Sequence, residues 1–155
     1  MAGGRKKIPP ANKAAPVIPK WIPKAKAFQP PAGEGCLRIR LSHLDVGGPF
    51  CLTDIEKEHF MQLIGRVKSF ESMQRTVVFA PGSEEGKVYA VADLPSRAAR
   101  ERLVELEYDD QTEIARLRIS GERRLYGFLS EDSPDFWALW WDPEHEIWPS
   151  TKRNT

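Results

Sequence analysis

The chain has 155 residues, of which 41% are hydrophobic and 29% are charged, and its formal net charge is +1 at pH 7. This length predicts one domain with a core large enough to fold without disulfides or structural metals. The two cysteines, Cys36 and Cys51, form neither a disulfide framework nor a metal-binding spacing. No apolar run is long enough to span a membrane, and the N-terminus lacks a signal peptide's apolar segment. We therefore expect a soluble, cytoplasmic protein.

The charges are distributed unevenly along the chain. Residues 1–33 contain seven basic residues, seven of the 13 prolines and no acid, whereas the rest of the chain holds 16 basic residues and all 22 acids, a net charge of −6. Proline at this density removes backbone donors and fixes φ, which prevents helices and central strands. We predict a basic, extended and disordered arm over residues 1–34, a single domain over residues 35–150 and a short polar tail over residues 151–155.

Two roles are open for the arm. The first role is a solubilising tail or a linker. The second is electrostatic attachment to nucleic acid or to the acidic face of a partner, and attachment to nucleic acid would weaken steeply with salt. Trp21, Ile22 and Phe28 have little use in a purely solvated tail. They indicate that the second half of the arm packs on the domain or on a partner.

The domain begins with a strand and a long helix. Residues 37–42 alternate between apolar and polar side chains, which predicts a half-buried strand. After a turn-rich connection, Thr53 and Glu56 have the spacing of a capping box, and apolar residues recur behind them at helical intervals. We predict an amphipathic helix over residues 54–72. Its apolar positions are Ile55, Phe60, Leu63, Ile64 and Val67.

A hairpin and a second helix are predicted next. Two strand-like segments, residues 76–79 and 87–91, flank a six-residue loop over 81–86 that contains a proline and two glycines. Asp93 or Ser96 would cap the second helix. The buried stripe of that helix is predicted to be Ala99, Leu103 and Leu106.

The C-terminal part has the pattern of a three-stranded meander. Residues 113–119 turn through Ser120 and Gly121 into residues 123–129, and an aromatic strand over residues 136–141 follows. The element order predicts an α+β fold, with an antiparallel sheet of about four to six strands and two helices packed mainly on one face. Because the last strand is apolar at odd and even positions, it should be central and covered on both faces. The second cover would be the arm, a long loop or another protein.

The aromatic strand runs directly into an acidic turn. Its tryptophans are expected in the core or in an interface, which leaves His145 and Trp148 as candidates for a functional role. A metal site formed by Asp142, Glu144 and His145 is not favoured, because no other histidine has ligand-like spacing to them. We expect no metal and no cofactor. His145 is also explained as a turn residue that pairs with a neighbouring carboxylate.

The C-terminal meander resembles that of RelE/ParE-type toxins. The matching residues are Ile114-Ala-Arg-Leu-Arg-Ile-Ser-Gly-Glu-Arg-Arg-Leu-Tyr-Gly-Phe, the aromatic strand and the following Asp-Pro-Glu-His-Glu-Ile-Trp. Those toxins have an arginine-bearing strand, a glycine turn, an Arg-x-x-Tyr-like strand and a last strand that ends in a histidine or arginine with an aromatic residue soon after. The resemblance covers about residues 113–149, with weaker support from residues 37–72. The chain also resembles small uncharacterised bacterial proteins that end in Trp-Trp-Asp-Pro-x-His.

This resemblance implies a RelE/ParE-like protein that acts on RNA or translation, as a metal-independent endoribonuclease, under the control of an antitoxin-like protein partner. RNA or the ribosome would be its target. The implied RNA-backbone contacts are Arg116, Arg118 and Arg123 or Arg124. His145 would transfer a proton near the 2′-hydroxyl, and Trp148 would be a stacking platform. The chemistry is coherent, because attack by a 2′-hydroxyl needs a base, an acid and cations on the phosphate.

Two non-catalytic functions stay open beside the nuclease. One is an interaction module whose aromatic face and basic arm bind another protein. The other is a nucleic-acid-associated accessory protein that uses the arm electrostatically. In both, Arg116 and Arg118 lie two residues apart on one strand and therefore share a face, where nearby acids would pair with them in solvent. Motifs for serine or cysteine nucleophiles and glycine-rich phosphate loops are absent from the sequence.

Overall fold

The computed structural model describes residues 35–150, so the predicted arm and tail lie outside the described residues. The described part of the chain contains five strands and three α-helices. In chain order they are β1 (Arg38–Arg40), α1 (Lys57–Glu71), α2 (Arg75–Val78), β2 (Gly86–Ala90), α3 (Arg97–Glu105), β3 (Glu113–Ser120), β4 (Arg123–Leu129) and β5 (Asp135–Asp142). None of the helices in this part of the chain is long and apolar enough to cross a membrane.

The strands form a single sheet in the order β1-β5-β4-β3-β2. Strands β3, β4 and β5 form the predicted antiparallel meander. The predicted α+β class and the predicted number of strands are also confirmed. The prediction of a wholly antiparallel sheet is wrong, because β1 pairs in parallel with β5, with Arg38 opposite Asp135. A three-residue edge strand carries no local signal for the direction of its partner, so the sequence pattern could not predict this pair.

The helices cover both faces of the sheet, which corrects the prediction that they share one face. Because successive side chains of a strand point to opposite faces, Leu117 packs in the core beneath α1 and α2, while Ile114 packs in the core beneath α3. The α1-side core also contains Leu63, Phe70, Val78, Leu125, Phe136 and Trp141. The α3-side core contains Phe50, Leu94, Leu103, Tyr126, Leu139, Trp140 and Ile147.

Strand β5 is central and covered on both faces, as its apolar pattern predicts. A β-bulge interrupts its pairing with β4: Tyr126 lies opposite Trp140 and Gly127 opposite Ala138, so Leu139 is the extra residue. Leu139 and Trp140 therefore share the α3-side core, and Trp141 returns to the α1-side core. The second cover of β5 comes from α3 and the loop that contains Phe50, which are parts of the domain itself.

Two local predictions are wrong. Residues 76–78 belong to the helical segment α2 and Phe79 is its C-cap, so no hairpin strand forms here. Val78 is fully buried in the α1-side core, and the Arg75 side chain donates to the carbonyl of Ser133 at 2.7 Å. These tertiary contacts override the strand preference of Thr-Val-Val. The predicted capping box is absent as well: Thr53 lies in a separate 3-10 turn, and α1 starts at Lys57 without a side-chain cap.

The second predicted helix agrees closely with α3. Ser96 is its N-cap, and the Ser96 hydroxyl accepts a hydrogen bond from the amide of Ala99 at 3.2 Å. Ala99 and Leu103 are buried in the α3-side core as expected. In α1, by contrast, the predicted apolar position Phe60 is 45% exposed. The buried stripe of α1 is shifted toward Leu63 and Phe70.

The loop after β1 is anchored by the carboxylate of Asp45, which is only 4% exposed. Arg102 of α3 donates to both carboxylate oxygens at 2.8 Å. The amide of Gly47 and the indole Nε1 of Trp140 donate to the same carboxylate, each at 3.1 Å. This buried ion pair therefore connects the loop, α3 and β5.

Gly48 lies against this ion pair, and its replacement tests the packing. A Cβ atom at Gly48 would lie 2.5 Å from Nε of Arg102 and would also overlap the Asp45 carboxylate. Overpacking of this kind costs about 1–3 kcal/mol, so Gly48→Ala should lower the free energy of unfolding by that amount in urea titrations. Gly47→Ala is the matched control, since its Cβ would meet the nearest atom at 3.7 Å. Equal losses in the two variants would contradict this packing.

Candidate anion-binding site

Four basic side chains from three adjacent strands meet on the α3-side face of the sheet. Arg118 of β3 lies opposite Arg124 of β4, and Arg116 lies opposite Lys87 of β2. Paired residues of neighbouring strands share a face, and Arg116 and Arg118 share theirs by alternation. A pocket of about 220 Å³ opens here. Its lining residues are Glu84, Lys87, Arg116, Arg118, Arg124, His145 and Ser150.

Two of these arginines are buried without a counter-ion among residues 35–150. Arg116 is 6% exposed and Arg124 is 7% exposed, and neither takes part in any ion pair of this range. Their Nε atoms are buried and make no hydrogen bond there. Nη1 of Arg124 donates only to the backbone carbonyls of Gly121 at 2.5 Å and Arg123 at 2.9 Å. Buried charges are ordinarily paired, so this pair of cations marks a candidate site for an anion.

The cations of the pocket repel one another. Burial lowers the pKa of the Arg124 guanidinium below its ordinary value, and the neighbouring charges of Arg116 and Arg118 lower it further. Arg118 is better compensated, because its Nη1 lies 3.3 Å from the exposed carboxylate of Glu84 at the mouth of the pocket. A bound anion would relieve the repulsion between the two buried guanidinium groups.

The hydroxyl of Tyr126 is a further polar group without a partner. Tyr126 lies opposite Arg116 and follows Arg124 by two residues on the same face of β4. Its hydroxyl is fully buried and makes no hydrogen bond within the described part of the chain. Burial and the charge of Asp142 raise the pKa of Tyr126. The phenol is therefore a neutral hydrogen-bond donor on the same face of the sheet as the cations, although Tyr126 does not line the pocket.

His145 reaches the pocket from the turn that follows β5. The carboxylate of Asp142, 1% exposed, accepts hydrogen bonds from the amides of Glu146 and Ile147 at 2.9 Å each and thereby holds this turn. His145 itself has a φ of +59°, a conformation that costs a non-glycine residue about 1–3 kcal/mol. Nδ1 of His145 is buried without a partner among residues 35–150, and Nε2 lies 3.4 Å from the hydroxyl of Ser150.

The turn explains how a histidine within an acidic segment can face cations. The alternative prediction was that His145 pairs with a neighbouring carboxylate, but no ion pair of His145 occurs within the described residues. Asp142 is used by the backbone of the turn, and neither Glu144 nor Glu146 lines the pocket. Glu84 is the only acidic residue among the lining residues.

The other two predicted site residues do not line the pocket. Arg123 donates to the hydroxyl of Ser120 at 3.2 Å and precedes Arg124, so alternation directs it to the opposite face. Trp148 is half-buried and stacks on Tyr89 of β2, with ring centroids 4.2 Å apart and an interplanar angle of 17°. One ring face of Trp148 is therefore already occupied by a neighbouring side chain.

Sequence reasoning missed Lys87. The strand that carries it was predicted, but its position beside Arg116 depends on the register between β2 and β3, which are separated in sequence by α3. No group of three histidine, cysteine, aspartate or glutamate side chains in the described range could hold a metal ion.

Known proteins offer no guide to this site, which is interpreted from its own geometry. No protein-family model matches the chain, and no curated protein or solved structure is significantly similar to it. The arrangement is suited to binding a phosphate or another compact anion beside an imidazole. A proton could be exchanged with a ligand at that imidazole.

Proposed function

We propose that the protein binds RNA at this pocket and cleaves it there, as a RelE/ParE-like toxin that a protein partner holds in check. One observation carries the proposal. Two buried arginines, Arg116 and Arg124, have no counter-ion among residues 35–150 and face a pocket that His145 also lines. Guanidinium groups are well suited to phosphate oxygens, because their donors match the spacing of those oxygens.

The proposed reaction uses no group beyond the RNA and the protein. The 2′-hydroxyl loses its proton, its oxygen attacks the adjacent phosphorus, and the 5′-oxygen of the next nucleotide leaves and takes up a proton. The products are a 2′,3′-cyclic phosphate end and a 5′-hydroxyl end. His145 carries one of the two proton transfers, and Arg116 and Arg124 stabilise the negative charge that grows on the phosphoryl oxygens.

The fold is compatible with this proposal. The RelE/ParE-type pattern has a compact helix pair, and in its place α1 and the four-residue helix α2 follow β1 without an intervening strand. The alternative of a module that binds a partner through its aromatic strand is less favoured, because the domain itself covers both faces of β5. Of the tryptophans in that strand, Trp140 and Trp141 are buried and Trp137 is half-buried.

Replacing Arg116 by methionine tests the proposal and separates function from stability. Loss of a charge-assisted hydrogen bond costs about 1.5–3 kcal/mol, so RNA binding and cleavage should fall about 10- to 100-fold. The free energy of unfolding should stay the same or rise, because an uncompensated buried charge is replaced by an apolar side chain of similar length. The measurements are cleavage of labelled RNA, with and without ribosomes, and denaturant unfolding.

Growth of cells that express the protein provides an independent readout. Wild-type expression should slow growth and degrade RNA, and Arg116→Ala combined with Arg118→Ala should relieve both effects. Arg97→Ala is the matched control, because Arg97 is an exposed helix residue paired with Glu101 on α3. If the wild type leaves growth and RNA intact, or the double variant acts like the wild type, the nuclease proposal fails.

A further inference from the structure

We infer that the pocket is selective for a doubly charged phosphoryl group, so that RNA with a terminal phosphomonoester binds more tightly than RNA with phosphodiesters alone. This inference rests on the proposed function, in which the pocket receives RNA phosphate. Beyond the proposed function, it specifies the charge of the phosphate group that the pocket prefers and the part of the RNA that carries this phosphate.

The charge within the pocket favours a dianionic ligand. Arg116 and Arg124 are more than nine-tenths buried and have no carboxylate partner in the described range, whereas Arg118 has Glu84. An internal phosphodiester carries one negative charge and would leave one buried guanidinium without an ion-pair partner in this range. A phosphomonoester carries about 1.5–2 negative charges at neutral pH. It therefore compensates both buried cations.

The number of hydrogen-bond donors also favours a terminal phosphate. Arg116, Arg124 and Lys87 line the pocket, and the Nε atoms of both arginines make no hydrogen bond among residues 35–150. A phosphodiester offers two non-bridging oxygens, while a terminal phosphate offers three strong acceptors. The larger set of acceptors uses more of the donors that the domain leaves without partners.

The charge outside the pocket is negative. Residues 35–150 contain 14 basic and 21 acidic residues, a net charge of −7. Glu84 stands at the mouth with 85% of its side chain exposed. A strand laid across the surface of this domain would be repelled by these acids, whereas a terminal phosphate needs only local contacts inside the pocket. These charges therefore favour local contacts with a single phosphate group over binding along a long track of phosphates.

The same selectivity would serve cleavage. When a 2′-hydroxylate attacks a phosphodiester, the phosphoryl group passes from one negative charge to two. Arg116 and Arg124, two buried cations, bind this dianionic arrangement better than the monoanionic substrate, which is the condition for faster chemistry without tighter substrate binding. A 3′-phosphorylated RNA end, once formed from the cyclic product by hydrolysis, would then act as a competitive inhibitor.

The test compares four 2′-O-methyl tetranucleotides, which lack the attacking hydroxyl, by titration calorimetry with the full chain. One carries a 3′-phosphate, one a 5′-phosphate, one a 3′-methyl phosphate, and one only hydroxyl ends. The methyl phosphate adds a phosphate group but only one charge. At about pH 8, where a phosphomonoester is dianionic, at least one phosphomonoester should bind about 10- to 100-fold more tightly than the methyl phosphate, the size expected for charge-assisted hydrogen bonds.

Two variants show whether the measured preference arises from the pocket. Arg116→Met should abolish the preference for the phosphomonoester, and Arg97→Met, the exposed control, should retain it. A preference for the 3′-phosphate over the 5′-phosphate, or the reverse, identifies which end enters the pocket. If the methyl phosphate binds as tightly as both phosphomonoesters, in an Arg116-dependent way, the charge selectivity is wrong and RNA binding at the pocket stands. If no tetranucleotide shows Arg116-dependent binding, the inference and the binding proposal both fail.

Discussion

The variant His145→Asn is expected to lower the single-turnover rate of RNA cleavage by about 10²–10⁴-fold, the range that a positioned acid or base contributes. RNA affinity should change much less, because the buried guanidinium groups of Arg116 and Arg124 supply the phosphate contacts. Asparagine is chosen because it tolerates the positive φ of residue 145 and can accept hydrogen bonds, but it cannot transfer a proton at neutral pH.

The choice of variant separates proton transfer from the shape of the turn. His145→Ala removes the imidazole too, but alanine adopts a positive φ poorly, so this variant should also lose about 1 kcal/mol of stability relative to His145→Asn. His59→Ala is the control for loss of a histidine, since His59 lies on α1 and does not line the pocket. A cleavage rate for His145→Asn within a factor of three of the wild type, at unchanged RNA affinity, would exclude His145 as the proton-transfer group.

The second large effect concerns stability. Asp45→Asn should lower the free energy of unfolding by about 2–4 kcal/mol at neutral pH, because the partly buried guanidinium of Arg102 loses its buried carboxylate partner. The side chain of Arg102 is 20% exposed and has Glu105 as a second, exposed partner, which keeps the loss below that of a fully buried pair. The indole of Trp140 would also lose a charged acceptor.

The pH dependence of this loss follows from the pKa of Asp45. Hydrogen bonds from Arg102, and then from the Gly47 amide and the Trp140 indole, lower this pKa from 3.8 to about 2, although burial opposes the shift. Because the folded pKa lies below the unfolded value, the carboxylate stabilises the fold fully above about pH 4 and loses this contribution between about pH 4 and pH 2. At 1.36 kcal/mol per unit, the shift corresponds to about 2 kcal/mol.

Urea unfolding at several pH values checks this prediction. The difference between the wild type and Asp45→Asn should be large at about pH 7 and should shrink as the pH falls through 4 toward 2. Asp54→Asn is the control, because Asp54 is exposed in the 3-10 turn and takes part in no ion pair of the described residues. A difference between wild type and Asp45→Asn that stays constant down to the acid limit would show that shape, and not charge, makes Asp45 important.

The elements that could be predicted from the sequence are those with strong local signals. The meander over residues 113–142 was predicted to within two residues at each strand end. Polar and apolar residues mark its first two strands, Gly121 allows the turn between them at a φ of +42°, and the last strand is a continuous apolar run. Helix α3 was predicted from its Ser96 cap and its apolar spacing. Helix α2 was missed, since its Thr-Val-Val composition favours a strand, and tertiary contacts of Val78 and Arg75 override that preference.

For the candidate site, the sequence by itself determined that Arg116 and Arg118 share one face of β3 and that His145 follows the last core strand. Alternation along a strand is a property of the local backbone, so it can be deduced without a partner. Only the tertiary structure decided that Arg124 and Lys87 lie beside them and that Trp148 stacks on Tyr89. Strand register depends on contacts between residues far apart in sequence, and no local pattern encodes it.

The tertiary structure also decided the charge around His145. In the sequence, Asp142, Glu144 and Glu146 surround this histidine and would repel a phosphate. In the fold, the Asp142 carboxylate accepts hydrogen bonds from two backbone amides of its own turn. Glu144 and Glu146 do not line the pocket, whereas the buried Arg116 and Arg124 do. Net charge is a property of composition, but the field at a site depends on which charges are buried and which are paired, and folding alone decides that.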